Sequence, residues 1–238
     1  MNLFWLLSLA HLMGDFPFQT DKVFYYKRNF RWGGLFHVAI CTFFNILLTL
    51  PFLKLRYFWL LLLILSVSHF LYDELKTWFT QKVMRDNIFL FLLDQTLHFF
   101  TIWVVVQLFS ILHPFPSVAK WSIYTNTSLI VRLSGFVFVT FATAPIIFYL
   151  QNYFSYRRKQ SEKRNFLFPK DRVRLLGYVE RACAIIVFVR LNPYFWVLVP
   201  VIFVPRLIKQ KSEGIIEASL GLFFAVATGI AIRYLVRV

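Results

Sequence analysis

Acidic residues are scarce in this chain: 11 Asp and Glu among 238 residues, against 26 Lys and Arg, for a formal net charge of +15. Charged residues make up only 16% of the sequence, where a soluble globular domain carries about a quarter. Cysteine is nearly absent. Cys41 and Cys183 are too few for the bridge framework of a small secreted domain or for a four-cysteine zinc ribbon. Both fall in apolar runs and are expected to be small core residues. No internal repeat and no low-complexity tract occurs. What the chain has instead is apolar surface: 59% hydrophobic residues and 20% aromatic, with 30 Phe. Such a chain does not stay unfolded in water, and its composition argues against an ordinary soluble domain. A basic excess in a soluble protein points to nucleic acid; here the hydrophobic content speaks against that partner and for the lipid bilayer.

Apolar stretches recur at 3–18, 34–52, 57–78, 87–112, 128–154, 173–191, 193–208 and 214–236. Most reach the ~20 residues that a helix needs to cross the hydrocarbon. The expected fold is therefore all-α: a polytopic transmembrane helical bundle of about seven or eight segments. The stretch 193–208 is short and holds Pro193, Pro200 and Pro205, which suggests a broken or re-entrant helix. The start, Met1 to Leu12, lacks the basic region and small-residue cleavage site of a signal peptide and reads as the first helix. Four regions follow: 1–112, a four-helix core; 113–156, an outside loop and fifth helix; 157–174, a basic loop; and 175–238, C-terminal transmembrane helices. Trp5, Trp32, Trp59, Trp121 and Trp196 fall near helix ends, as interfacial anchors do.

The basic residues orient the bundle. Alternate connections hold 18 of the 26 Lys and Arg, and the opposite side holds seven. By the positive-inside rule the richer side is cytoplasmic, and with eight crossings both termini lie outside. The loop 157–174 is the densest basic stretch, a topology signal that also suits anionic lipid head groups.

The membrane should not contain charge, yet the apolar segments hold a pattern of it. His11 and Asp15, His69 and Asp73, and Asp94 and His98 are each four residues apart, which puts both members on one helix face. His37 lies a few residues into the second segment. All seven can meet in one layer in the cytoplasmic half of the bundle, with Glu180 and Glu217 entering at similar depth. Intramembrane groups of this kind are expensive and mark functional sites. Imidazole and carboxylate are the ligand set of zinc, manganese or iron. The expected ligands are His11, Asp15, His37, His69, Asp73, Asp94 and His98. Asp15, Asp73 and Asp94 are acid/base candidates, and Lys76 and Arg181 are cations that steady anionic charge. Gln19, Lys22, Gln95, Glu180 and Glu217 are expected to support the ligands or bind substrate.

These same residues carry a resemblance. His11-Leu-Met-Gly-Asp15-Phe-Pro-Phe-Gln19, Ser68-His69-Phe-Leu-Tyr-Asp73-Glu-Leu-Lys76 and Asp94-Gln95-Thr-Leu-His98 resemble the H-x-x-G-D-x-x-x-Q, S-H-x-x-x-D-x-x-K and D-Q-x-x-H blocks of a bacterial integral membrane family, domain of unknown function 3307. Gly177-Tyr-Val-Glu180-Arg181 is similar to a G-x-x-E-R block of its longer members, which tend to have A-K-S where this chain has Val204-Pro205-Arg206. The resemblance implies a multi-pass protein of the bacterial inner membrane and supplies no reaction. The leading expectation is a membrane-embedded metal-dependent hydrolase acting on a lipid-like or phosphorylated substrate at the cytoplasmic side. A proton- or metal-coupled transporter is the alternative, because His/Asp chains also relay ions. A structural or assembly protein held by interhelical polar contacts is the third. No oligomeric state follows from the sequence.

Overall fold

The computed structural model describes residues 2–30, 32–82, 87–113, 122–157, 171–190, 193–209 and 211–236, and among them every regular element is helical. Most of the basic loop 157–174 and the outside loop residues 114–121 lie outside the described residues. The chain divides into two compact units, Met1–Ile130 and Val131–Val238.

The first unit is built on α1 (Leu3–Asp15), α2 (Asp21–Asn29), α3 (Gly33–Leu48), α4 (Phe58–Lys82) and α5 (Ile88–Leu112). α1 is the innermost: ten of its 13 residues are buried, and it packs on α3 and α5. The amphipathic α2 is capped by Thr20, whose hydroxyl accepts from the Val23 amide. It folds back on α3 so closely that a Cβ on Gly33 would lie 1.9 Å from the Tyr26 carbonyl oxygen. Only glycine fits there. On α4, Leu60, Leu63, Val67, Leu71 and Leu75 face outward, while His69 and Asp73 are buried. On α5, Phe89, Leu93, Phe100 and Trp103 face outward, while Asp94 and His98 are buried. Both helices thus present hydrocarbon to the surroundings, while their buried faces set these polar groups among Phe58, Leu61, Leu62 and Leu65 on α4 and Phe91, Ile102 and Val105 on α5, an arrangement compatible with a lipid solvent.

After a short α6 (Ser122–Thr125), α7 (Thr127–Val137) leads into the second unit, where a π-turn (Phe138–Ala142) joins it to α8 (Thr143–Arg157). α9 (Asp171–Arg190) packs on α12 (Lys211–Val236), and between them come a 3₁₀ turn (Pro193–Leu198), α10 (Val199–Ile202) and α11 (Val204–Lys209). The core gathers Val139, Ala184, Ile185, Phe188, Val199 and Phe203 with Ala218, Ala225 and Ile232 of α12.

Four helices are long and apolar enough to cross a bilayer: Phe58–Lys82, Ile88–Leu112, Thr127–Tyr153 and Gly214–Val236. Three more apolar helices are shorter, Leu3–Asp15, Gly33–Leu48 and Trp196–Arg206. The expected count of seven or eight segments is therefore not supported, and the reasons are local. Thirteen residues rise about 20 Å against a hydrocarbon core of about 30 Å. α1 stops at Asp15, two residues before Pro17, which has no amide hydrogen to continue the helical ladder. α3 stops before Pro51. α9 has the length but carries Arg174, Glu180, Arg181 and Arg190. The stretch 193–208 is divided into one 3₁₀ and two short helical pieces. Cys183, expected in the core, is exposed, whereas Cys41 is buried.

The second unit has a buried charge network of its own. Arg206 is fully buried and donates through Nε to Glu180 Oε2 at 2.7 Å, with Nη1 2.5 Å from Glu217 Oε2. Arg181 donates to the Val139 and Thr140 carbonyls at 3.0 Å, within the turn where π geometry disturbs the regular helical ladder. Arg206→Met leaves two carboxylates without their cation and is expected to cost about 3–5 kcal/mol, read as a large fall in thermal unfolding temperature in detergent. Glu217→Gln, which keeps one full pair, is expected to cost less.

Candidate metal centre

Four helices of the first unit each bring two chemical groups inward at a spacing of four residues: His11 and Asp15 on α1, His37 and Cys41 on α3, His69 and Asp73 on α4, Asp94 and His98 on α5. All eight are buried. Each pair lies one turn apart on a single face, so four packed helices deliver eight groups to one layer.

Four donor atoms stand closest. Asp15 Oδ1 is 3.5 Å from His37 Nε2, 3.4 Å from His69 Nε2 and 3.5 Å from Cys41 Sγ. Cys41 Sγ is 3.7 Å from His37 Nε2 and 3.8 Å from His69 Nε2, and the two imidazole nitrogens are 3.2 Å apart. Six edges of such similar length define a nearly regular tetrahedron. One with edges of about 3.5 Å places its corners roughly 2.1 Å from the centre, and zinc sits about 2.0–2.2 Å from nitrogen or oxygen and 2.3 Å from thiolate. Asp15, His37, Cys41 and His69 could hold a metal ion.

The surroundings orient these donors. Gln95 donates through Nε2 to Asp15 Oδ2 at 3.3 Å and to Asp94 Oδ2 at 3.2 Å. Its Oε1 therefore faces His11 Nε2, 3.2 Å away, and His11 must be the donor. His11 stacks on His98 with ring centroids 4.9 Å apart. Lys27 of α2 reaches Asp73 Oδ1 at 2.6 Å, and Lys76 reaches Asp94 Oδ2 at 2.9 Å. Burial alone would favour loss of the Lys27 proton. Asp73, with Asp15 and Asp94 beyond it, instead holds the Lys27 pKa above its ordinary value.

The charges then add up in a specific way. Three carboxylates face two ammonium groups. Lys27 and Lys76 pair with Asp73 and Asp94, which leaves Asp15 as the carboxylate without an ammonium partner. Four buried atoms remain without a hydrogen-bond partner: His37 Nδ1, Asp73 Oδ2, Asp94 Oδ1 and His98 Nε2. Beside the donors opens a small cavity whose wall includes His11, Cys41, Asn45, Ser68, His69 and His98. By its place along α3, α4 and α5 it lies on the side away from Lys27 and Lys76.

The seven sequence-expected ligands are thus brought together, but not as equals. His11 and Asp94 stand behind Asp15 and Lys76, joined through Gln95. Gln19 is half-buried in the turn after α1, Lys22 is exposed on α2, and neither hydrogen-bonds to the cluster. Glu180, Arg181 and Glu217 belong to the second unit and its Arg206 network. Cys41 and Lys27 were missed. Cys41 repeats the four-residue spacing of the His/Asp pairs, since it follows His37 by one turn, and that was the available signal. Lys27 lies outside the apolar runs and had none.

A profile for a protein family of unknown function, DUF3307, matches residues 3–129. The chain belongs to the DUF3307 family. No curated protein and no solved structure matches it. The DUF3307 match ends at the boundary of the first unit, so it contains all eight clustered groups together with Lys27, Lys76 and Gln95. The Gly177–Arg181 block lies beyond it.

Removing Lys27 isolates the Asp73 carboxylate. Lys27→Met is expected to cost about 3–5 kcal/mol, and Asp73→Asn in the same chain is expected to recover part of that loss. Thermal unfolding of the two single variants and the double variant measures the coupling.

Proposed function

We propose that this DUF3307 protein is a membrane-embedded, zinc-dependent hydrolase of the bacterial inner membrane, acting on a lipid-like or phosphorylated substrate near the cytoplasmic face. The observation that carries the metal reading is the tetrahedron of Asp15, His37, Cys41 and His69 donors, and the cavity beside it supports access for a substrate. A thiolate and two imidazoles select zinc over manganese, which prefers oxygen donors. A bound divalent metal lowers the pKa of water to about 7 and so supplies hydroxide at neutral pH. The chain's own groups do the rest. Asp15 is held by Gln95 and by the tetrahedral donors around it. An imidazole lining the cavity takes the proton released by water. Lys76, at the partly open edge of the cluster, holds the Asp94 carboxylate at 2.9 Å. The outward leucines and aromatics of α4 and α5 support the membrane setting. The basic residues Lys22, Lys27, Arg28, Lys76 and Lys82 at one end of the unit support a cytoplasmic orientation for that end.

Transport of the ion is the second reading. It is favoured by the placement of the donors between lysine-paired carboxylates on one side and a cavity containing Asn45 and Ser68 on the other, which gives polar groups on both sides of the layer.

Metal analysis of the full chain purified gently in detergent tests the reading. About one zinc per chain is expected, lost in His69→Ala, with turnover of phosphate or acyl esters in mixed micelles that follows zinc content. A zinc-free wild type contradicts it. Zinc-loaded protein that turns over no ester but carries zinc into liposomes favours transport.

A further inference from the structure

The four-donor set has one property that suits storage better than reaction: all four corners of the tetrahedron are protein atoms. Structural zinc sites are closed in this way, while catalytic ones keep three protein ligands and an open position. The cluster contains a second set that has the open form. The metal-ligating atoms of His69, Asp73 and His98 also lie within 4.8 Å of one another. In this set Asp73 Oδ2 and His98 Nε2 are buried and make no hydrogen bond. Their counterparts are occupied. Asp73 Oδ1 holds Lys27, and His98 Nδ1 lies 2.7 Å from the Asp94 carbonyl oxygen, where it donates its proton and leaves the Nε2 lone pair free. An imidazole anchored through one nitrogen to a carbonyl is the usual posture of a metal ligand.

We infer that the first unit holds one metal ion in either of two overlapping positions, a closed one made by Asp15, His37, Cys41 and His69, and an open one made by His69, Asp73 and His98. This rests on the metal reading above. His69 Nε2 is 3.3 Å from Asp73 Oδ2 and belongs to the closed set as well, so the two positions share a donor and are filled one at a time. The open position adjoins the cavity, whose wall includes His69 and His98, and that is where a substrate oxygen reaches the centre.

Cys41 belongs only to the closed position and His98 only to the open one, and both line the cavity, so a variant at each residue separates the two positions.

Cobalt(II) titration of the full chain in detergent tests this, with a thiolate-to-cobalt charge-transfer band in the near ultraviolet reporting Cys41. Wild type is expected to take one cobalt and show the band. Cys41→Ala is expected to take one cobalt without the band, and Cys41→Ala with His98→Ala is expected to take none. His37→Ala, which also removes only the closed set, carries the same expectation of one bound cobalt and the same dependence on His98, should the cysteine variant fail to fold. The two-position proposal is overturned if the folded Cys41→Ala and His37→Ala chains bind no cobalt, or if their binding survives His98→Ala. A wild type that binds no cobalt overturns the metal reading itself.

Discussion

Buried charge has to be neutralised locally, and the first unit is organised around that requirement. An isolated carboxylate in an apolar interior costs several kcal/mol even after relaxation, and here three of them are buried within one layer. Lys27 and Lys76 each answer one. Asp15 has no lysine; it faces imidazoles, a thiol and the Gln95 amide. The carboxylate without an ammonium partner is the one at a corner of the tetrahedron. A divalent cation at that point would answer the Asp15 carboxylate as the lysines answer Asp73 and Asp94. The second unit meets the same constraint with an arginine: there Arg206 sits between Glu180 and Glu217.

The apolar composition makes this possible and also makes it costly. Because α4 and α5 turn leucine and aromatic side chains outward, their inner faces are where polar groups concentrate. Apolar residues face both outward and inward, and the clustered His and Asp find their partners in the interior, among one another. That arrangement ties the fold to the site. α1, too short to cross a bilayer and buried along most of its length, is not a wall of the unit but a carrier that brings His11 and Asp15 to its centre. α2 lies outside the apolar helices and closes one end of the cluster with Lys27, held near by the tight approach at Gly33.

Much of this was legible in the sequence. The i,i+4 pairs are visible because helix geometry turns a four-residue spacing into a shared face, and the apolar runs around them announce helices. The all-helical class and the grouping of His11, Asp15, His37, His69, Asp73, Asp94 and His98 follow from those two facts alone. The number of membrane-length helices did not, because a run of apolar residues does not show where a proline ends the helix, as at Pro17 and Pro51, or that α9 carries charge along its length. Cys41 was hidden by its own chemistry. A cysteine in an apolar run is most often a small hydrophobe, and only the packing of α3 against α1 and α4 shows it facing Asp15 and His69. Lys27 and Arg206 were hidden for the opposite reason: basic residues beside membrane helices are abundant, and only tertiary contact distinguishes a topology signal from the partner of a buried carboxylate. Arg181 illustrates the same ambiguity, since its guanidinium serves the carbonyls of the π-turn in the second unit.

X-ray absorption at the zinc edge on the gently purified chain addresses the metal centre most directly. The tetrahedral donor set predicts a first shell with one sulfur at about 2.3 Å and nitrogen and oxygen at about 2.0–2.2 Å. Zinc at substoichiometric level, or bound zinc whose first shell contains no sulfur, would contradict it.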